Sequence, residues 1–174
     1  MSIIVRDSIA SDVPAVTAIY RHAVLHGNAS FEVDPPDEAE IARRRDAVLA
    51  AGYPYLIAER GGLVVGYSYA SAYRSRSAYR YAVENSIYVA AGFHGGGIGR
   101  TLLPALLLRL ETSGIRLVVA VIGDSANAAS INLHARCGFV HAGLLPSVGW
   151  KHGRWLDCVL MTLPIGDGAR TPPI

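Results

Sequence analysis

The sequence predicts an α/β protein with a mixed central sheet of about seven strands flanked by about four helices. Three observations predict it. Segments of strand and helix periodicity follow in the order β-α-α-β-β-β-α-β-α-β-β. The run Leu117-Val118-Val119-Ala120-Val121-Ile122 is apolar on both faces, as expected of a central strand covered on both sides. Strands also succeed one another directly in the middle and at the end of the chain. That mixed order argues against a pure Rossmann or TIM architecture.

Each element has a local cause. Residues 3–6 alternate weakly and form a first strand. Ser11, Asp12 and Pro14 mark a helix start, a capping oxygen followed by proline in the first turn. Val13, Val16, Ile19, Tyr20, Ala23 and Val24 then recur at helical spacing, and Gly27 ends the helix. Residues 28–36 read as a loop with Phe31 as an apolar residue inside it. Asp37 and Glu40 have capping-box spacing for a second helix running to Ala51, closed by Gly52 and Pro54. Residues 55–59 and 63–72 are strands, joined by Gly61-Gly62, which can supply the positive φ angles of a tight hairpin turn. Residues 82–89 are the next strand. A glycine loop then leads into a helix over 98–112, stopped near Gly114. The 117–122 strand is followed by a helix over 126–136, with Gly138 as its stop. Residues 139–148 and 155–163 are the last strands, joined through Lys151-His152-Gly153. One domain over residues 1–165 and a C-terminal tail over 166–174, frayed from Thr171, account for the chain.

Composition narrows the function classes. With 174 residues, 51% hydrophobic and 17% charged, the chain is long enough for a sizeable core and too apolar for disorder. A net charge of +2 is too small to point to nucleic acid. Arg43-Arg44-Arg45 reads as a solvated helix face. Cys137 and Cys158 have no metal-type spacing and read as small buried hydrophobes. The first seven residues hold no apolar signal-peptide core, and no apolar run approaches the roughly 20 residues of a membrane span. These features indicate a soluble cytoplasmic protein that engages neither membrane nor nucleic acid.

The stretch His94-Gly95-Gly96-Gly97-Ile98-Gly99-Arg100 concentrates backbone freedom directly before a helix. Glycine in a helix interior costs about 0.5–1 kcal/mol relative to alanine. A ligand that needs bare backbone amides would offset that cost. A Walker A loop is excluded, because Ile98 and Gly99 stand where Lys and Ser/Thr must be. A dinucleotide fingerprint starting at Gly95 breaks at its third glycine, and Leu117 stands where the acidic ribose partner belongs. A short x-x-G-x-G loop fits, its amides and the helix N-terminus aimed at one pyrophosphate with Arg100 nearby. A ligand-free strand-to-helix turn has the same spacing, so the loop alone leaves both open.

A second signature lies downstream. Asn127, Ser130 and Leu133 follow the 117–122 strand, and Gly138-Phe139 follows the helix. Together with residues 94–99, which match [QR]-x-x-G-x-[GA] except at His94, they make the chain resemble the GNAT superfamily of acyl-CoA-dependent N-acetyltransferases. Residues 82–89, AVENSIYV, are like T-V-E-x-S-V-Y-V, and VAVI at 119–122 is like V-A-A/V-I. Ala128-Ala129-Ser130-Ile131 and Leu133-His134 follow, and KHGRWLD at 151–157 is like K-x-G-x-W-x-D. On these residues the chain resembles the phosphinothricin and methionine sulfoximine N-acetyltransferase branch, from about residue 3 to residue 163.

The resemblance implies acetyl-CoA as cosubstrate and no metal. It implies a pantetheine arm laid along the 82–89 strand as a pseudo-strand, on the backbone of Ile87, Tyr88 and Val89. The pyrophosphate falls to Gly95, Gly96, Gly97, Ile98, Gly99 and Arg100. Asn127 either hydrogen-bonds the cofactor edge or simply caps its helix.

An acceptor amine with a lysine-like pKa of about 10.4 must lose a proton before it can attack a thioester. Glu84, a carboxylate in an otherwise apolar strand, is the candidate base or ammonium binder; the alternative is an outward-facing or ion-paired strand residue. A backbone N–H near Val89 is expected to stabilise the oxyanion. His134 stands where many members of the superfamily carry a tyrosine acid, and the close branch shares the histidine. It protonates the thiolate, contacts the cofactor, or is a satisfied core histidine. Arg74 and Arg76 lie where the branch places substrate contacts and suit a substrate carboxylate, or else solvate a hairpin. Phe31 and Tyr79 wall the side-chain pocket or belong to core or dimer contacts. Asn85 and Ser86 supply polar orientation. The branch resembles homodimers, with Lys151 and His152 reaching a partner subunit. Acetylation of a polyamine or a protein N-terminus, and a weakly catalytic acetyl-CoA-binding module, are the other functions compatible with these residues.

Overall fold

The computed structural model describes residues 2–173. Its elements in chain order are β1 (Ile3–Asp7), α1 (Val13–His26), α2 (Glu38–Ala50), β2 (Tyr55–Arg60), β3 (Leu63–Ala72), β4 (Ala82–Val89), α3 (Ile98–Glu111), β5 (Leu117–Gly123), α4 (Ala128–Arg136), β6 (Val140–Lys151) and β7 (Arg154–Pro164). The seven strands form one sheet ordered β1-β2-β3-β4-β5-β7-β6. Neighbours are antiparallel except β4 and β5, which run parallel. The expected mixed architecture and element order are both present.

Strand alternation builds a core on each face. Val83, Ile87 and Val89 of β4 pack with Leu102, Leu103 and Leu106 of α3. Tyr88, between them in sequence, packs on the opposite face with Val16, Tyr20 and Val24 of α1. There Tyr55, Tyr67 and Tyr69 stack, Tyr67 lies against Tyr88 at 5.2 Å, and Tyr20 meets Tyr88 edge-on at 5.1 Å. Glu84 and Ser86 share this α1 face by alternation, and Asn85 points to the α3–α4 face.

Several local expectations are corrected. Asp12 precedes α1, but its carboxylate turns back to accept the Ile9 N–H at 2.8 Å and both Arg6 guanidinium nitrogens at 2.7 and 2.8 Å. Burial opposes that charge; the Arg6 and Ile9 hydrogen bonds prevail and hold Asp12 below the usual carboxylate range. Asp37 does cap α2, accepting Glu40 N–H at 2.8 Å, whereas the Glu40 carboxylate goes to Arg43 and Arg44 instead of closing a box. Arg45 is buried, donating to Ser8 Oγ and Ser8 O, so the arginine triplet is only partly a solvated face. The last hairpin is longer than expected: His152 and Gly153 take positive φ as a two-residue turn, so Lys151 and Arg154 pair. Lys151 does not reach outward to a partner; its ammonium is buried on the carbonyls of Gly27 and Ser30 in its own chain. Cys158 is buried and Cys137 half-buried, and neither forms a disulfide. The tail is tied rather than frayed at residues 171–172, where Arg116 donates to Thr171 Oγ1 and Pro172 O. Met1 and Ile174 lie outside the described residues. Among the described residues no helix is long and apolar enough to cross a membrane.

Candidate active site

The parallel pair at the centre of the sheet is incomplete. Residues 82–85 of β4 pair with 117–120 of β5, and there the pairing stops. Residues 86–89 continue against β3, and 121–123 continue against β7, so the two strands part. Backbone groups that a full sheet would satisfy are left facing a gap. A cleft of about 730 Å³ opens from that gap toward α3 and α4, and a smaller cavity of about 80 Å³ lies at its apex.

The wide end gathers backbone N–H groups and cations. Ile87, Tyr88 and Val89 line it from β4, and Gly95, Gly97, Ile98, Gly99 and Arg100 line it from the loop and first turn of α3. Gly97 is the cap residue of α3 at φ +84°, a left-handed conformation that favours glycine, and no side chain caps the helix. The first N–H groups of α3 therefore remain open at the cleft. Gly96 is turned away: its N–H donates to Phe93 O at 3.3 Å, and it does not line the cleft. His94 lines the mouth, exposed. Four further lining groups escaped sequence reasoning: His22 and His26, one turn apart on α1 with tilted rings 4.7 Å apart, Arg136 at the end of α4, and Arg154 at the start of β7. The available signal was their placement in last turns and beside a hairpin, which only the fold brings together. Asp124 is the one carboxylate lining this cleft among the described residues, and it is paired with Arg154. Asp124 sits at φ +72°, a strained conformation tolerated because its own carboxylate accepts the Ala126 N–H at 3.1 Å.

Asn127 is a helix cap that also faces the cleft. Its Oδ1 caps α4 by accepting Ser130 N–H at 3.2 Å, and the residue lines both the cleft and the apex cavity.

Glu84 lies at the apex, half-buried, with Ser86 beside it. Burial alone pushes its carboxyl above the usual range. The Cys158 thiol is raised by burial and then by the Glu84 charge.

On the α3–α4 face Asn85 and His134, which also line the apex cavity, form a buried polar pair. The Asn85 Nδ2 donates to His134 Nε2 at 2.9 Å, and His134 Nδ1–H donates to the Ser130 carbonyl at 2.8 Å. A carbonyl only accepts, so the ring carries its proton on Nδ1 and leaves Nε2 as an acceptor. The ring is 2% exposed and meets Phe139 edge-on at 5.0 Å. Burial holds its pKa below the usual histidine range, against the opposing pull of the Ser130 carbonyl. Asn85 thus orients His134 instead of pointing to the Glu84 side, and its Oδ1 is a buried acceptor without a protein partner.

The remaining expected residues are not brought to the gap. Arg74, Arg76 and Tyr79 are exposed on the connection between β3 and β4 and line neither cavity; the Arg74 guanidinium lies over the Tyr73 ring at 5.1 Å. Phe31 packs its ring on Gly149 of β6, also outside both cavities. No group of three or more His, Cys, Asp or Glu among the described residues is arranged to hold a metal ion.

A parted parallel pair feeding a glycine loop invites comparison with known acyl-CoA enzymes. Residues 18–139 match the Acetyltransferase (GNAT) family. The chain belongs to that family. As a GNAT acetyltransferase it is an enzyme that transfers acyl groups. It is similar to the phosphinothricin N-acetyltransferase of Alcaligenes faecalis, 54% identical over 170 residues, covering 98% of this chain and 85% of that one. It is similar to the L-methionine sulfoximine/L-methionine sulfone acetyltransferase of Pseudomonas paraeruginosa, 41% identical over 174 residues, covering 99% and 100%. Among solved structures it is similar to a GNAT superfamily phosphinothricin acetyltransferase from Sinorhizobium meliloti in complex with AcCoA. That match has a TM-score of 0.97 and 46% identity, and covers 100% of this chain and 94% of that one.

Proposed function

We propose that this GNAT acetyltransferase moves an acetyl group from acetyl-CoA to the α-amine of small glutamate-like amino acids: phosphinothricin, methionine sulfoximine and methionine sulfone. The observation that carries it is Glu84, a half-buried carboxyl with a raised pKa at the apex of the parted strands. The named substrates of the relatives support the acceptor class.

Acetyl-CoA supplies an activated thioester. The chain's features fit it: a cleft of about 730 Å³, unpaired β4 backbone, an uncapped helix N-terminus and clustered cations. In this proposal the backbone of Ile87, Tyr88 and Val89 holds the pantetheine arm, and Gly95, Gly97, Ile98, Gly99 and Arg100 hold the pyrophosphate, Gly96 being turned away. Arg136 adds positive charge to the wall, while the charge of Arg154 is matched by Asp124. Asn127 fixes the start of α4 against the arm.

Glu84 takes the ammonium proton and releases a nucleophilic amine beside the thioester. A raised carboxyl pKa brings the base nearer to neutrality and strengthens it. An N–H of the parted strand near Val89 donates to the carbonyl oxygen as charge develops there. The leaving thiolate needs little help, since an ordinary thiol has a pKa of about 8.5. His134, with Nδ1–H committed to Ser130 and Nε2 accepting from Asn85, therefore acts as a positioning group rather than an acid. Arg74, with its guanidinium on a ring face rather than a carboxylate, is the proposed anchor for the substrate carboxylate. Ser86, which lines the apex cavity with Glu84, is the proposed polar contact for the substrate, whereas Arg76, Tyr79 and Phe31 lie outside both cavities.

We further propose one domain over residues 1–165, a cytoplasmic setting, and a homodimer. The dimer would use the β6–β7 hairpin, where Trp150 (58% exposed) and Trp155 (60% exposed) meet edge-on at 5.3 Å. Light scattering of wild type and Trp150→Ser/Trp155→Ser tests the dimer.

The acceptor is tested by thiol release from acetyl-CoA across phosphinothricin, methionine sulfoximine, methionine sulfone, ordinary amino acids, spermidine and peptides. Turnover confined to the glutamate analogues supports the proposal. Turnover favouring spermidine or peptides, or none with cofactor binding intact, contradicts it.

A further inference from the structure

All but one of the 16 Lys and Arg residues are arginine; Lys151 is the exception. It ends β6 and is 3% exposed. Its ammonium donates to Gly27 O at 2.9 Å and Ser30 O at 2.7 Å. Those two carbonyls bracket Asn28 and Ala29, which line the cleft, and Ala29 also lines the apex cavity with Glu84 and Ser86.

The rest of this loop is seated by fit and by hydrogen bonds from side chains that carry no charge of their own. A side chain at Gly123 would put Cβ 2.2 Å from Asn28 O, so glycine at the end of β5 is what lets the loop cross there. Asn28 Nδ2 donates to Asp124 at 3.2 Å, and Ser30 Oγ lies 2.9 Å from the Tyr20 hydroxyl. Lys151 alone joins the loop to the β6–β7 hairpin by charge. Burial draws its ammonium below the usual lysine range, against the opposing pull of Glu32. A guanidinium is a broad planar fork, whereas an ammonium is a compact point with three donors that can converge on two carbonyls. That difference gives a physical reason for lysine at this place in an otherwise arginine-based chain.

We propose that Lys151 is a positioning residue for acetyl transfer, its ammonium pinning residues 27–30 as the acceptor-side wall of the apex cavity. The proposal rests on the assignment of the apex to the amine. The pyrophosphate end, at residues 95–100, lies on other elements, so amine and cofactor binding should separate.

The test uses the full chain as wild type, Lys151→Met and Lys151→Arg. For Lys151→Met, the KM for phosphinothricin should rise about tenfold, as for loss of a charge-assisted hydrogen-bonded anchor. Acetyl-CoA affinity should stay within about twofold. Lys151→Arg should fail to restore the KM. A readout on wild type needs no variant: acetic anhydride labelling followed by mass spectrometry, which is unambiguous with one lysine. Saturating phosphinothricin should slow labelling of Lys151 several-fold relative to a reference peptide amine in the same sample, which corrects for anhydride consumed by the phosphinothricin amine. Three results would overturn the proposal: an unchanged amine KM in folded Lys151→Met, a parallel rise in both constants, or labelling indifferent to the amine. If Lys151→Met does not fold, the wild-type labelling decides. Wild type inactive on the whole amine panel would instead count against the acceptor assignment, whereas active wild type with an unaltered Lys151→Met would count against Lys151 alone.

Discussion

The two halves of the sheet are held by different means. From β1 to β4 both faces are covered, by α1 and α2 on one side and α3 on the other, and apolar and tyrosine side chains do the packing. From β5 to β6 the hairpin carries much of its surface in solvent, and polar ties fasten it. Lys151 grips the 27–30 loop, Asp124 pairs with Arg154, and Asp157 accepts from Ser125 and from the Ser147 N–H. The candidate site lies in the seam, where four rungs of pairing give way to a gap. Apolar packing builds the rigid half, while unpaired backbone and a few directed polar groups build the binding half. Breaking one half should cost stability, and breaking the seam should cost function.

The largest effect should come from the seam. Glu84→Gln should lower kcat about 10²–10⁴-fold, the usual weight of a general base, with acetyl-CoA binding unchanged by tryptophan fluorescence. The same variant should be more stable at neutral pH. Burial raises the folded carboxyl above its unfolded value of about 4.3, so ionisation opposes folding as pH climbs between the two. The gain in Tm should vanish below about pH 4, where both states are protonated. His134→Ala should behave in the opposite way. It empties a buried site and orphans the Asn85 amide, costing about 2–4 kcal/mol in denaturant unfolding, while kcat in the folded fraction stays within about tenfold. His134 also contributes to acid lability: its folded pKa is lowered, so stability is lost as pH falls through the unfolded value of about 6.5.

Gly97→Val forces a branched residue into φ +84° and should weaken acetyl-CoA binding about tenfold in a fluorescence titration. Asn127→Ala should have the smallest effect. Loss of the α4 cap should cost about 1 kcal/mol by thermal unfolding.

The strands and helices were legible because each carries its own periodicity. The LVVAVI run places β5 at the centre, and Gly97 before an apolar run marks the strand-to-helix turn that opens α3. What was not legible is long-range. Lys151 looks like a surface lysine in a turn; only the approach of residues 27–30, more than 120 residues earlier, buries it. Asn85 has the parity of the α3 face, opposite to Glu84, yet as an isolated polar residue it reads as a substrate contact. Its partner, His134, comes from a helix that the sequence cannot orient. His22 and His26 read as ordinary residues of a helix end until the fold sets them across from β4.

The most direct test of the central claim is the pH dependence of kcat for phosphinothricin in wild type and Glu84→Gln. The account predicts that wild-type kcat falls on the acid side with an apparent pKa above the ordinary carboxylate value, and that this limb is absent from the residual rate of the variant. The same acid limb in both proteins, or undiminished kcat in the variant, would contradict the assignment of Glu84 as the base.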